Sequence, residues 1–256
     1  MFRTAVFVAT LGCIACEGFA QVAAVAEKPA KPIALVAPEH LKKYDLEKYQ
    51  AAADRWAGEI AKMASTNDVD GSEDSVLFLG SSSIRIWKSV EEDLGNWKAV
   101  RRGYGGAKFC DTAIYAPNLV KGLKFQAAGI FVANDITGGK SDKSPEEVAR
   151  LAKSVIESVR AENPTAPVLL ISITATPSRF AVWPTIEQAN EELRKLSESM
   201  DKVYFLDTKA AYLTEDGKPI PDYFIADMLH QNESGYKLWG RLIAEKLASI
   251  DGLKSK

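Results

Sequence analysis

The chain has 256 residues, 46% apolar and 26% charged, which gives ample material for a core and excludes a disordered or collagen-like chain. Lys and Arg total 32 against 34 Asp and Glu, and a net charge of -2 leaves no basic excess for nucleic acid. Two histidines (His40, His230) and three cysteines (Cys13, Cys16, Cys110) exclude a multi-histidine metal site and a four-ligand zinc framework.

Residues Met1–Ala20 carry an early Arg3, an apolar run from Ala5 to Cys16 and the small-residue pattern Gly18-Phe19-Ala20. That order predicts an export signal cut after Ala20, with the mature chain periplasmic or secreted. The run is too short to span a bilayer comfortably, so no transmembrane span is expected once the signal is removed. A lipid anchor on Cys13 or Cys16 is the less favoured alternative. Cleavage leaves the net charge at -2 and Cys110 as the sole cysteine, so no intrachain disulfide is expected.

Residues 21–40, with Pro29, Pro32 and Pro38 among Ala and Lys, read as a tether to a single domain over 41–250 and a tail over 251–256. Between Leu41 and Ala64 the apolar positions Leu46, Tyr49, Ala53, Trp56, Ile60 and Met63 step by 3 and 4, predicting one amphipathic helix. Ser65–Asp74 reads as a polar loop. Short apolar runs then predict strands at Ser75–Gly80, Ala99–Arg102, Ala128–Ala133, Val168–Ile173 and Val203–Asp207. Ser144-Pro145-Glu146-Glu147 is a capping box with Pro at the first helical position, and it opens a helix carrying Val148, Leu151, Val155 and Val159. Ile186 to Met200 and Tyr236 to Ile250 mark two more helices. Buried strands alternating with helices predict a three-layer α/β/α sandwich around a mostly parallel five-stranded sheet.

Ligands of such sheets bind beyond the carboxyl ends of the strands. The first strand is followed by Gly80-Ser81-Ser82-Ser83, the second by Gly103-Tyr104-Gly105-Gly106 and the third by Asn134-Asp135. Asp227-Met228-Leu229-His230 stands before the last helix. A hydroxyl, a glycine turn, an amide and an Asp–His pair on one rim are the parts of an acyl-transfer site. His40 lies beside the tether, which leaves His230 as the base. Asp227, three residues before it, can accept the Nδ1–H and turn Nε2 toward a serine.

In these blocks the chain resembles the SGNH (GDSL-type) hydrolases, over about Ser75 to Leu247. The nucleophile block is Val76-Leu77-Phe78-Leu79-Gly80-Ser81-Ser82, and the resemblance puts the nucleophile on Ser82. Arg102-Gly103-Tyr104-Gly105-Gly106 is similar to the family's glycine block and implies an oxyanion glycine at Gly106. Val132-Ala133-Asn134-Asp135 implies the oxyanion amide at Asn134, and Asp227 to His230 is the final Asp-x-x-His. Ser81 replaces the usual Asp, and Val132 replaces a block glycine. The family implies a flavodoxin-like fold and a Ser82–His230–Asp227 triad. It also implies an oxyanion hole made by the Ser82 and Gly106 N–H groups with Asn134.

The expected activity is a serine esterase acting on a short-chain ester, expected to be acetyl, on a carbohydrate, the substrate being a small-molecule or polysaccharide ester, with no cofactor. The alternatives are a lysophospholipase or thioesterase on the same fold, or a noncatalytic carbohydrate-binding protein. Tyr104, Arg179 and Trp183 fall in predicted rim loops and are expected to contact substrate. Gly139-Lys140-Ser141 ends like a phosphate loop, but Asn134 occupies the position where its first glycine belongs. Cys110 reads as a buried thiol.

Overall fold

The apolar runs form strands β1 (Ser75–Gly80), β2 (Lys98–Gly103), β3 (Ala127–Phe131), β4 (Val168–Ile171) and β5 (Val203–Leu206). The computed structural model describes residues 38–256, so the expected signal and residues 21–37 of the expected tether lie outside the described residues. Every strand pairing is parallel, in the order β2-β1-β3-β4-β5. The sheet has helices on both faces, as the near-continuous apolar strands require. Alternate side chains part to opposite layers: Leu77 and Leu79 enter one core, Val76 and Phe78 the other. Gly80 pairs with Gly103 on one side and Phe131 on the other, so β1, β2 and β3 end level and open on one rim.

The helices that matter here are α1 (Ala57–Ala64), α2 (Ser82–Ile86), α3 (Phe109–Val120), α4 (Pro145–Glu162), α5 (Trp183–Glu198) and α6 (Glu233–Ala248). α1, α3, α4 and α5 cover the Leu77 face, and α2 and α6 cover the Phe78 face, where Trp87 and Trp239 are packed. Ser144 Oγ accepts the Glu147 N–H at 3.2 Å and so caps α4. The reciprocal half of the predicted capping box is not made, because the Glu147 carboxylate is held by Arg150 and by the Tyr49 hydroxyl. No described helix is long and apolar enough to cross a membrane.

The predicted single helix over 41–64 is instead a chain of short turns. A 3-10 helix at Glu39–Tyr44 ends at Asp45 in the left-handed region (φ 48°), and further turns at Glu47–Tyr49, Gln50–Ala53 and Asp54–Trp56 lead into α1. A non-glycine residue at positive φ stops a helix, and the 3.6-residue period does not detect it. Leu46, Ala53 and Ile60 still point inward as the spacing requires. The segment is tied down by Tyr115 Oη to the Ala53 carbonyl (3.1 Å) and by Arg150 Nη1 to the Tyr44 carbonyl (2.9 Å). The expected loop at 65–74 contains a helical turn, Asn67–Asp70. Buried Arg102 holds it through Asn67 Oδ1 (3.0 Å) and Asp70 Oδ2 (2.9 Å).

Candidate active site

At the end of β1 the backbone of Gly80 presses against β3. A Cβ on Gly80 would lie 1.9 Å from the Phe131 carbonyl oxygen, so no other residue fits without moving the strand. The Ser81 N–H continues the contact, donating to that carbonyl at 3.0 Å. Ser81 is buried, and its own carbonyl accepts the N–H groups of Ile84 and Arg85, which starts α2. This leaves Ser82 as the first helical residue, half-buried at the rim. Its Oγ lies 2.8 Å from His230 Nε2.

His230 is held from behind. Asp227 Oδ1 accepts the N–H groups of Leu229 and His230, each at 2.9 Å, and Oδ2 lies 2.6 Å from His230 Nδ1. With Nδ1–H donating to the carboxylate, Nε2 is free to accept the Ser82 hydroxyl proton. Burial alone would raise the Asp227 pKa; the hydrogen bonds from the His230 ring and the two amides outweigh it and hold the carboxyl below its ordinary range. The turn is closed by the Met228 N–H to the Ile225 carbonyl and the Ile225 N–H to the His230 carbonyl, both 2.9 Å, with Met228 at φ 55°. Phe224 bridges Gln231, and Tyr212 Oη donates to the buried Gln231 Oε1 at 2.7 Å, which fixes the base of the loop. A hydroxyl, an imidazole and a carboxylate bonded in series can move a proton from Oγ onto Nε2.

Gly106 and Asn134 face the same spot. Gly106 sits at φ 71°, a conformation that favours glycine. Among the described residues neither its N–H nor that of Ser82 has another acceptor. Asn134 Nδ2 donates to the Ala107 carbonyl at 2.9 Å, and its Oδ1 accepts Arg179 Nη2 at 2.7 Å. One amide hydrogen remains for a ligand. Val132 does not disturb this arrangement, because β3 has ended and its side chain is buried in the core with Ile130.

The structure corrects two of the expected substrate contacts. Tyr104 is 0% exposed; its ring packs on Trp56 (centroids 5.5 Å apart) and its hydroxyl lies 3.3 Å from Thr112 Oγ1. Trp183 is 7% exposed and packs into the core at the start of α5. Neither ring offers a face to a ligand. Arg179 is at the site, bonded to Asn134 and the Ala133 carbonyl.

Ser82, Asn134 and His230 stand between two spaces of unequal size. A narrow pocket of about 20 Å³, room for one water-sized group, is lined by Phe131, Ala133, Ile173, Thr174, Arg179 and Phe224. On the other side an open groove of about 490 Å³ runs along Trp56, Glu59, Arg85, Gly105 and Gly106. Trp56 carried a signal in the sequence, but helical spacing assigned it to a core-facing stripe; Glu59 and Arg85 carried none.

The remaining motifs hold no ligand site. Burial pushes the Cys110 thiol up to about 12, as suits an inert side chain. The loop at Gly139 is already filled by its own anion: Asp142 Oδ2 accepts the N–H groups of Thr137 (2.8 Å), Gly138 (2.7 Å) and Gly139 (3.2 Å).

The whole architecture recurs among solved structures. A Streptococcus pneumonia protein provisionally described as a platelet activating factor is 23% identical, with a TM-score of 0.61 over 81% of this chain and 96% of its own. A GDSL-like lipase from Bacteroides thetaiotaomicron is 18% identical, with a TM-score of 0.58 over 77% and 97%. A carbohydrate esterase family 3 protein from Talaromyces cellulolyticus is 19% identical, with a TM-score of 0.54 over 68% and 96%. At these identities the likeness is one of fold. No curated protein matches the sequence. The model of the GDSL-like lipase/acylhydrolase family matches residues 70–238, which include β1, β2, β3 and the Asp227–His230 turn, and the chain belongs to that family.

Proposed function

We propose that this acylhydrolase-family protein is a serine esterase that removes acetyl groups from a carbohydrate. The observation that carries the reading is the series Ser82 Oγ–His230 Nε2 (2.8 Å) and His230 Nδ1–Asp227 Oδ2 (2.6 Å) beside a pocket with room for a methyl-sized group. Ser82 Oγ attacks the ester carbonyl while its proton passes to His230 Nε2, and Asp227 stabilises the imidazolium. The carbonyl electrons move onto oxygen, where the Ser82 and Gly106 N–H groups and Asn134 Nδ2 donate to them. The tetrahedral species collapses, His230 gives its proton to the departing alcohol, and Ser82 keeps the acyl group. Water then attacks the acyl-serine, His230 takes its proton and returns it to Ser82 Oγ, and the carboxylic acid leaves. The small pocket suits the acetyl methyl, and the open groove suits a bulky alcohol.

The purified chain is expected to hydrolyse acetyl esters, and Ser82→Ala is expected to abolish the activity with the fold retained. Sugar binding without hydrolysis would establish the noncatalytic alternative instead. A second reading, a lysophospholipase or thioesterase, draws on Ile225 (45% exposed) and Met228 (39% exposed), which put apolar surface beside His230. Faster turnover of octanoyl than acetyl esters would favour it. Export is part of the proposal, supported by Arg3, the Ala5–Cys16 run and Gly18-Phe19-Ala20. N-terminal sequencing of protein from the native host tests it, and a retained Met1 would overturn it.

A further inference from the structure

One side of the groove on the alcohol side is built by residues that precede the family-matched part of the chain. That match begins at residue 70, whereas Trp56 and Glu59 belong to the turns and helix that precede it. The preceding segment is fastened to α3 and α4 by the Tyr115, Arg150 and Tyr49 hydrogen bonds, so Trp56 has a fixed place. The edge of its ring approaches the oxyanion glycine: a Cβ on Gly106 would lie 3.6 Å from Trp56 Cζ2 and 3.8 Å from Cη2. Tyr104 supports the ring from within at 5.5 Å, and the indole stays partly exposed. Across the groove the Arg85 guanidinium lies against Gly105, where a Cβ would meet its Nη2 at 3.2 Å. Among the described residues neither Glu59 nor Arg85 has an ion-pair partner, although both line the groove. The Arg55 guanidinium lies over the Trp56 ring, 4.8 Å from its centroid, so the indole offers the groove its edge. Together with one unpaired carboxylate and one unpaired guanidinium, that edge supplies an apolar contact, an acceptor and a planar donor fork within a single groove.

We propose that Trp56, Glu59 and Arg85 form the subsite for the alcohol half of the ester, and that its ligand is a polyhydroxylated sugar ring. The apolar face of the sugar rests against the edge of the indole, and its hydroxyls donate to Glu59 and accept from Arg85. The enzyme then selects substrates at both ends: the narrow pocket limits the acyl group, and Trp56 and Glu59 from the preceding segment, with Arg85 from the family domain, recognise what the acyl group is attached to. This subsite rests on the esterase reading of Ser82, and the two are separated by using two acetyl esters.

The test compares kcat/KM of the full chain on O-acetylated cellobiose with kcat/KM on ethyl acetate, whose ethanol is too small to span the groove. Taking the ratio of the two cancels any disturbance of the oxyanion site next to Trp56. Trp56→Ala is expected to lower the ratio by about 10-fold or more, and Trp56→Phe to restore most of it. Glu59→Gln at a half-buried position and Arg85→Gln at an exposed one are each expected to lower it by about threefold or more. They carry the test if Trp56→Ala does not fold. Ratios within about twofold of wild type in all variants overturn the subsite while leaving the esterase intact. Wild-type enzyme that cleaves ethyl acetate but not the sugar ester overturns it as well. Wild-type enzyme that cleaves neither overturns the esterase reading and the subsite together.

Discussion

Arg179 donates from Nη2 to the Asn134 side-chain oxygen across 2.7 Å, and this bond decides which way the amide faces. With Oδ1 occupied, Nδ2 must point to the Ala107 carbonyl and to the space above Ser82. Arg179 therefore acts through Asn134 as a positioning residue. Arg179→Met leaves the amide free to turn over, and kcat on an acetyl ester is expected to fall by about 10- to 100-fold, less than the roughly 10²–10³ for outright loss of an oxyanion donor. KM is expected to change little, and Arg179→Lys to recover part of kcat. Steady-state kinetics decide the matter. A rise in KM with kcat unchanged would instead make Arg179 the substrate contact that its rim position suggested.

Three consecutive serines follow Gly80, and their surroundings assign them different work. Ser81 is buried and starts α2 through its carbonyl, and Ser83 lends its carbonyl to the Tyr236 hydroxyl at 2.9 Å. Only Ser82 reaches His230. Ser82→Ala is expected to cut kcat by about 10⁵-fold or more. Ser81→Ala and Ser83→Ala keep the backbone contacts and are expected to retain much of the activity. Mass spectrometry after a serine-directed phosphonate locates the modified residue independently. Label on Ser81 or Ser83 would shift the register of the whole block.

The strands are legible because a strand buried on both faces must be apolar along its length, and runs such as SVLFLG leave little choice. Their ends are less so: β3 and β4 stop two residues, and β5 one, before the expected runs do. The rim blocks follow from the order of the strands. Side-chain direction in the loops was not legible. Tyr104 lies one residue past β2, and tertiary packing turns it inward, so a loop aromatic that reads as a ligand platform is a core residue. Trp56 shows the reverse error, since a 3.6-residue stripe marks a face in contact with something and does not say whether that is core or cleft. α3 went unseen because Pro117 lies within it and burial on nearly every side erases the amphipathic period.

The narrow pocket makes acyl length a sensitive probe. Its walls, among them Phe131, Ile173 and Phe224, leave about 20 Å³, which suits a methyl group and leaves no room for a chain. Values of kcat/KM are expected to fall steeply from acetyl to butyryl to octanoyl esters of one alcohol, because each added methylene must displace packed side chains. Ile173→Ala is expected to relax the preference by admitting butyryl without slowing acetyl turnover greatly. A flat profile in the wild type would mean that the acyl group lies in the open groove.

Asp135 directly follows Asn134, the proposed oxyanion amide. Its carboxyl is fully buried; Oδ2 accepts the Phe109 N–H at the start of α3 (2.8 Å), and Oδ1 has no partner among the described residues. Burial raises the pKa to about 7, the Phe109 N–H opposes it, and the neighbouring Asp111 charge adds to it. An unfolded Asp titrates near 4, so between about pH 4 and 7 the folded chain holds a proton that the unfolded chain has lost. The stability this confers is complete below the unfolded pKa and drains away as pH rises through the folded one, by an amount on the order of a few kcal/mol. Asp135→Asn keeps an acceptor for Phe109 and removes the titration. Chemical denaturation of wild type and variant at pH 5 and pH 8 is expected to show the variant gaining on the wild type at the higher pH. Equal losses in both proteins between those two values would mean that Asp135 ionises in the fold at its ordinary pKa.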